Sequence, residues 1–320
     1  QGGTCDEGLR VSTMQRALVT GGAGFIGSHL VRALLAQGIE VVVIDDMSNG
    51  LQANLDEVMA DIEFVQASIL DEAALGKAGR GCDTIFHLAA VSNVSQTIET
   101  PMVGHAVNAT GVMNVLQLAR ETKAHVVYSS SAAVYGDTEP HPKTEEGPFD
   151  PLSLYGSQKL FGELLLRNYG RIFGFTSVCL RYFNVYGLRQ RPDSPYSGVI
   201  SVFVDRAKQG LPITIHGDGM QTRDFVSVHD VVRANLAAAE ARSCLGQAYN
   251  ICRGEETSVR ELAERVIEIL GSKSELGFGP ARAADILRSR GSHQLATDKL
   301  GFKADISFAS GISSLLTEIS

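Results

Sequence analysis

Over its first half the chain alternates short apolar runs with longer amphipathic stretches. RALVT (16–20), EVVVID (40–45), IEFVQ (62–66), TIFHL (84–88), HVVYSS (125–130) and TSVCLR (176–181) are dense in valine, isoleucine and other apolar residues. Such runs predict strands buried on both faces. Between them lie helical patterns. In FIGSHLVRALLAQG, Ile26, Leu30, Ala33 and Leu34 recur at helical spacing and Gly38 supplies the stop. Further helices are predicted at 105–121 and 156–169. Strands alternating with helices predict a parallel sheet with right-handed crossovers, a doubly wound α/β fold. From about residue 182 the pattern breaks into glycine- and proline-rich pieces such as YGLRQRPDSPYSG and QGLPITIHGDG. This predicts a large sheet domain over 14–181 and a smaller C-terminal lobe over 182–320. Helix-like stretches at 228–240 and 258–270 pack back on either lobe.

Composition narrows the function classes. A chain of 320 residues suffices for two lobes. Its net charge of −8 argues against a non-specific nucleic-acid binder, which needs a basic face. The five cysteines are scattered, with no C-x-x-C pair, so neither a disulfide framework nor a zinc site is expected. They read as buried thiols of a cytoplasmic protein. No histidine shows metal-ligand spacing, so no metal is expected. No apolar run reaches the ~20 residues of a membrane span. Residues 1–13 lack an apolar stretch and read as a tail outside the fold.

The first strand leads into GGAGFIG (21–27), then a helix, then a strand ending in Asp45. Gly21, Gly24 and Gly27, or Gly22, Gly24 and Gly27, leave bare backbone where strand turns to helix. Free N–H groups and the helix dipole there can hold a pyrophosphate, beside Phe25 and Ile26. Asp45 would accept hydrogen bonds from ribose hydroxyls and repel a 2′-phosphate, favouring NAD over NADP. No arginine or lysine lies between Asp45 and Lys77 to welcome such a phosphate. A doubly wound sheet binds its ligand at the strands' carboxyl ends, so HLAA (Leu88, Ala89, Ala90) and SSS (Ser129, Ser131) open onto the same crevice.

Tyr155 and Lys159 stand at i and i+4, on one face of a helix. A phenol with a pKa near ~10 is a poor base at neutral pH, and a neighbouring ammonium lowers that value. Ser131 can hydrogen-bond the same substrate hydroxyl. The arrangement predicts a catalytic base acting on a substrate hydroxyl beside a nicotinamide ring.

GGAGFIGSHL, SSSAAVYGD, YGSQK, RYFNVYG and QTRDFVSVHD together resemble the extended short-chain dehydrogenase/reductase family, and within it the nucleotide-sugar 4-epimerases, from about residue 16 to about 310. The resemblance implies a Rossmann fold and epimerisation of UDP-glucose and UDP-galactose through a transient 4-keto sugar. Tyr155 is then the base, Lys159 its activator and nicotinamide-ribose ligand, and Ser131 its helper. Asp46, Ser48, Asn49, Gly50, Ser68, Ile69, Asn108 and Tyr182 join the cofactor residues. Asn184, Arg223 and Arg282 are matched to diphosphate ligands, and His216 to a residue stacking on the base. Ser92, Ala132, Val199, Ile200 and Asp285 complete the substrate set. The family's dehydratases place an acid–base pair just after the strand's hydroxyl residue. Here Ala132 and Ala133 stand there, and neither moves a proton. Ser289, where many relatives have a bulky residue, predicts room for the N-acetyl group of UDP-GlcNAc and UDP-GalNAc. Two departures are Ser68, where an aspartate is common near the adenine, and Ser92, where some epimerases carry a lysine. The family also implies a homodimer through helices at about 101–121 and 156–169; Leu160, Phe161, Leu164 and Leu165 supply an apolar stripe. A reductase or dehydrogenase on the same scaffold, and a non-catalytic NAD sensor, remain as alternatives.

Overall fold

The structure is a computed structural model that describes residues 14–190, 198–281 and 286–318. In chain order, β1 (Arg16–Thr20) leads into α1 (Phe25–Ala36) and β2 (Glu40–Asp45); β3 (Ile62–Gln66), α2 (Glu72–Ala78) and β4 (Thr84–His87) follow. Next come α3 (Val94–Glu99), α4 (Pro101–His105), α5 (Gly111–Thr122), β5 (His125–Ser131), α6 (Leu154–Phe173) and β6 (Ser177–Tyr182). The strands named from the apolar runs therefore occupy those positions, with no end displaced by more than one residue. Every pairing among them is parallel.

The later part of the chain contains β7 (Asn184–Tyr186), α7 (Val199–Lys208), β8 (Ile213–His216), β9 (Thr222–Arg223), β10 (Phe225–Ser227) and α8 (Val228–Ala239). It continues through β11 (Leu245–Ile251), β12 (Thr257–Ser258), α9 (Val259–Leu270), β13 (Leu276–Gly279), α10 (Gln294–Leu300) and α11 (Phe308–Glu318). The large sheet runs β11-β6-β5-β4-β1-β2-β3. Its seventh strand, β11, comes from beyond the sheet domain expected at 14–181 and pairs along β6. The run LGQAYNI hides this strand because Gly246, Gln247 and Asn250 interrupt its apolar residues. Asn250 is nonetheless fully buried, accepting from Tyr135 Oη at 2.6 Å and donating to Lys143 O at 2.9 Å. Its polarity is satisfied by partners more than a hundred residues away, which no local pattern reveals.

Two apolar layers cover the sheet. One joins β1, α1 and α8 through Leu30, Leu34, Val231 and Ala238; the other joins α2, α5 and β5 through Leu75, Leu116, Ala119 and Val126. A separate core around Phe203, Ile213, Leu262 and Ile312 builds the second lobe. Ile200, expected in the substrate site, lies in that core and is 3% exposed, with Val199 packed against it. The helix expected at 105–121 begins earlier, as α4, and carries a π-helical turn over Ala106–Thr110 before α5. On the outer helices Met102, Val103, Phe161 and Leu164 are exposed, whereas Leu160 and Leu165 pack inward.

Candidate active site

A cleft lies over the carboxyl ends of β1, β2, β4 and β5 and divides into two chambers. Tyr155 and Tyr182 line both, so the phenol of Tyr155 stands at their junction.

The first chamber is built on the glycine turn. Gly21 has φ +73°, and a Cβ there would stand 2.8 Å from Ala89 N. A side chain is therefore excluded both by the left-handed backbone and by the adjoining β4 loop. A Cβ on Gly27 would fall 2.2 Å from Gly21 O, so α1 packs directly on the turn. Gly24 caps α1 without a side-chain hydrogen bond, which leaves the first-turn N–H groups for a ligand. Asp45 is buried at the end of β2. Its Oδ2 accepts from Ala23 N and its Oδ1 from Met47 N, each at 2.9 Å. Burial pushes its carboxyl above the usual range, and the two N–H donors oppose that shift.

Gly21, Gly24, Phe25, Ile26 and Gly27 line this chamber at one end. Asp45, Asp46, Ser48, Asn49 and Gly50 line it beside β2, with Ser68 and Ile69 next to them. Leu88, Ala89, Ala90, Ser92, Ser129 and Lys159 line its far wall. Asn108 does not line it. Its Oδ1 accepts from Val91 N at 2.8 Å, and its Nδ2 donates to Val91 O and to Gln158 Oε1. The asparagine expected beside the nicotinamide instead fastens the 88–92 loop to α6, from within the π-helical turn.

At the junction, Tyr155 lies beside Ser131, whose hydroxyl pulls the phenol's pKa down. Lys159 Nζ donates to Ser129 O at 2.7 Å and sits 5.7 Å from the centre of the Tyr155 ring. Burial pushes the Lys159 ammonium down to about 7, with the Glu163 carboxylate opposing, because a charge removed from water is disfavoured. The same burial pushes the Tyr155 phenol up to about 12, with only the Ser131 hydrogen bond pulling it back. This corrects the expectation that the lysine draws the phenol's pKa down. In this geometry burial governs both groups: it raises the phenol and lowers the ammonium. His87, stacked on Tyr128 and buried, is pushed down to about 3 and is neutral.

Beneath the junction lies a buried ionic network. Glu163, one helical turn beyond Lys159, accepts from Arg181 Nε at 2.9 Å and Nη2 at 2.6 Å. Arg181 also donates to Tyr135 Oη at 2.8 Å, and Ser130 donates to Glu163. The network ties α6, β5 and β6 together below Tyr155 and Lys159.

Ser131, Ala132, Asn184, Arg223 and Ser289 line the second chamber. Arg223 Nη1 donates to Ile286 O at 2.7 Å. Tyr135, Lys143 and Arg288 line it as well. Tyr135 falls within the SSSAAVYGD motif without being expected as a site residue; no motif contains Lys143 or Arg288, which only the fold brings to the wall. Among the described residues no aspartate or glutamate lines this chamber. His216 lies on β8, bonded to Pro280 O at 3.2 Å, and lines neither chamber. Arg282 and Asp285 lie outside the described residues.

The chain is similar to known proteins. The sequence family described as the NAD dependent epimerase/dehydratase family matches residues 17–252. A UDP-glucose 4-epimerase of Mycolicibacterium smegmatis is 37% identical over 302 residues, covering 93% of this chain and 96% of that protein. The solved UDP-glucose 4-epimerase of Thermus thermophilus in complex with NAD is 35% identical, with a TM-score of 0.85, over 95% of this chain and 98% of that one. A UDP-N-acetylglucosamine 4-epimerase from Methanobrevibacter ruminantium, in complex with UDP-N-acetylmuramic acid, gives 0.91 at 32% identity, over 96% and 98%.

Proposed function

The chain belongs to the NAD-dependent epimerase/dehydratase family, and on that premise we propose that it inverts the C4 hydroxyl of a UDP-linked hexose. The observation that carries the reading is the junction of the two chambers. Tyr155 and Ser131 together line a second chamber that, among the described residues, contains no carboxylate. Such a chamber supports oxidation and reduction of an alcohol but lacks an acid–base pair for elimination.

The first chamber suits NAD. The glycine turn excludes every side chain where backbone and pyrophosphate must approach, and Asp45 presents a carboxylate for ribose. NAD, when bound, supplies an acceptor for the C4 hydride and returns it. The chain's residues do the rest. Tyr155 takes the 4-hydroxyl proton, with Ser131 sharing the hydrogen bond, and later gives it back. Lys159 holds the ribose. Asn184 and Arg223 hold the diphosphate, leaving the sugar free to turn and present its other face. Arginine suits this task because its planar fork spans two oxygens. Ser289 lines the same chamber and leaves room beside the sugar for an N-acetyl group. Exposed Met102, Val103, Phe161 and Leu164 on α4 and α6 supply an apolar face for a homodimer.

The test is product analysis by NMR with a panel of nucleotide sugars, on wild type and Tyr155→Phe. Epimerisation without accumulation of reduced nicotinamide is expected for wild type. The phenylalanine variant should keep substrate binding and lose turnover by about 10²–10⁴, the scale of general acid–base catalysis. Wild-type turnover in that variant refutes the assignment.

A further inference from the structure

Lys159 lines the first chamber but is 3% exposed, so its ammonium has lost most of its water. Such a charge is costly unless neighbouring groups replace the water. One of its three donors goes to Ser129 O at 2.7 Å. The carboxylate that acts on it, Glu163, is already held by Arg181 through bonds of 2.9 and 2.6 Å and by Ser130. The remaining neighbour is aromatic. Lys159 Nζ stands over the ring of Tyr128, 4.9 Å from its centre, nearer than the 5.7 Å that separates it from the centre of Tyr155.

Tyr128 lies on β5 and is completely buried. Its hydroxyl has no hydrogen-bond partner among the described residues, so the contact with the lysine is made by the ring. The ring is fixed by its neighbours. A Cβ on Gly162 of α6 would collide with Tyr128 Oη, so the helix packs flush against the phenol. His87 of β4 stacks on the ring at 5.7 Å between centres and 29° between planes, and is itself tied through Nδ1 to Thr20 Oγ1 at 2.8 Å. His87 is neutral and brings no second cation to the ring. An aromatic face carries the negative part of the ring's quadrupole, and its attraction for a cation is strongest where water is excluded.

We propose that Tyr128 is a positioning residue whose ring face, in place of an uncommitted carboxylate, keeps Lys159 charged and directed at the first chamber. The proposal rests on the reading of Lys159 as the ribose ligand. A carboxylate at this place would bind the ammonium in a charge-assisted hydrogen bond and use up a donor. The ring attracts the charge and uses none, so two donors stay available to ribose hydroxyls. The titratable groups packed around the pair are His87 on β4, Tyr155 and Glu163 on α6, and Cys179, Arg181 and Tyr182 on β6. Burial pushes His87 down to about 3, Tyr155 and Tyr182 up to about 12, and Tyr128 and Cys179 well above their usual ranges. None of these five changes charge between pH 5 and pH 9, which leaves that window to the lysine.

The experiment is urea unfolding of nucleotide-stripped protein from pH 5 to pH 9, for wild type, Tyr128→Phe and Tyr128→Met, each with Lys159 and with Lys159→Met. The difference within each pair isolates the lysine, and circular dichroism confirms that each protein is folded. In wild type the stability difference should begin to rise with pH near the folded lysine's value of about 7. Tyr128→Phe keeps the ring and should leave that onset in place. Tyr128→Met removes the face, so the ammonium gives up its proton sooner and the onset should fall by about 0.5–1.5 pH units. Pentafluorophenylalanine incorporated at position 128 keeps the ring's shape, abolishes its negative face and should lower the onset as methionine does, which preserves the test if methionine prevents folding. An onset that stays in place or rises in both of these proteins overturns the proposal, and so does a fall in Tyr128→Phe as large as theirs. Calorimetry then reads the consequence: NAD affinity at pH 7 should drop about threefold to tenfold in Tyr128→Met and stay within twofold in Tyr128→Phe. Unchanged affinity in Tyr128→Met refutes the positioning role. No sugar nucleotide enters either measurement, so a failure of the epimerase reading, seen by NMR of products, is distinguishable from a failure here.

Discussion

Replacing Lys159 with methionine tests the electrostatics of the site through stability, without any substrate. The ammonium is buried, and its pKa falls from 10.5 to about 7. Between those values the unfolded chain binds a proton that the folded chain has released, so stability rises with pH. Below about 7 both states are protonated and the burial penalty is fully present; above 10.5 both are neutral and it is gone. At pH 7 the folded lysine is half titrated, so the gain from pH 7 to pH 9 comes to about 2 kcal/mol, at about 1.36 kcal/mol per full pH unit. Methionine keeps the apolar stem and removes the charge. It also removes the 2.7 Å bond to Ser129 O, a loss that shifts the whole curve without tilting it between pH 7 and 9. The assay is urea unfolding of nucleotide-stripped wild type and Lys159→Met at both pH values. Wild type should gain about 2 kcal/mol on the variant, a difference that cancels the titration of every other group. A gap that stays constant, or narrows from the wild-type side, refutes the claim that burial dominates this lysine, and with it the account of Tyr155.

Three further outcomes follow from the geometry. Gly27→Ala sets a methyl group against backbone, 2.2 Å from Gly21 O, where no rotamer gives relief; NAD affinity should fall by about a hundredfold, and unchanged affinity by calorimetry would show that the turn is not the cofactor's seat. Glu163→Gln leaves the buried Arg181 guanidinium without its counter-charge and should cost about 3–5 kcal/mol in denaturant unfolding. A cost near zero means that the network under Tyr155 and Lys159 is not held by charge. Ser289→Tyr should abolish turnover of N-acetylated sugars and spare UDP-glucose, and equal loss of both by NMR counts against Ser289 as the residue that admits them.

Much of the fold was legible because it is decided locally. Apolar runs of strand length separated by helical periodicity define the parallel sheet, and a glycine turn between strand and helix has few alternative conformations. The same logic located Gly21, Gly27, Asp45, Tyr155 and Lys159, whose spacings along the chain place them on one crevice. Other features depended on residues far apart in sequence. β11 reads as a polar loop until Tyr135 and Lys143 satisfy Asn250. Asn108 looks like a ligand until Val91 and Gln158 occupy its amide. Lys143 has no motif and reaches the chamber because Arg290 and Ser292 pair with its backbone.

The sequence by itself determined the order of the first six strands of the sheet and the helices between them, the glycine turn and the candidate pair Tyr155 and Lys159, since backbone sterics and side-chain periodicity act over a few residues. Only the tertiary structure decided how those groups ionise and which cations share the chamber with them. Desolvation sums over every atom packed around a group, and at Tyr155 that sum reversed the direction that its nearest charged neighbour alone implied.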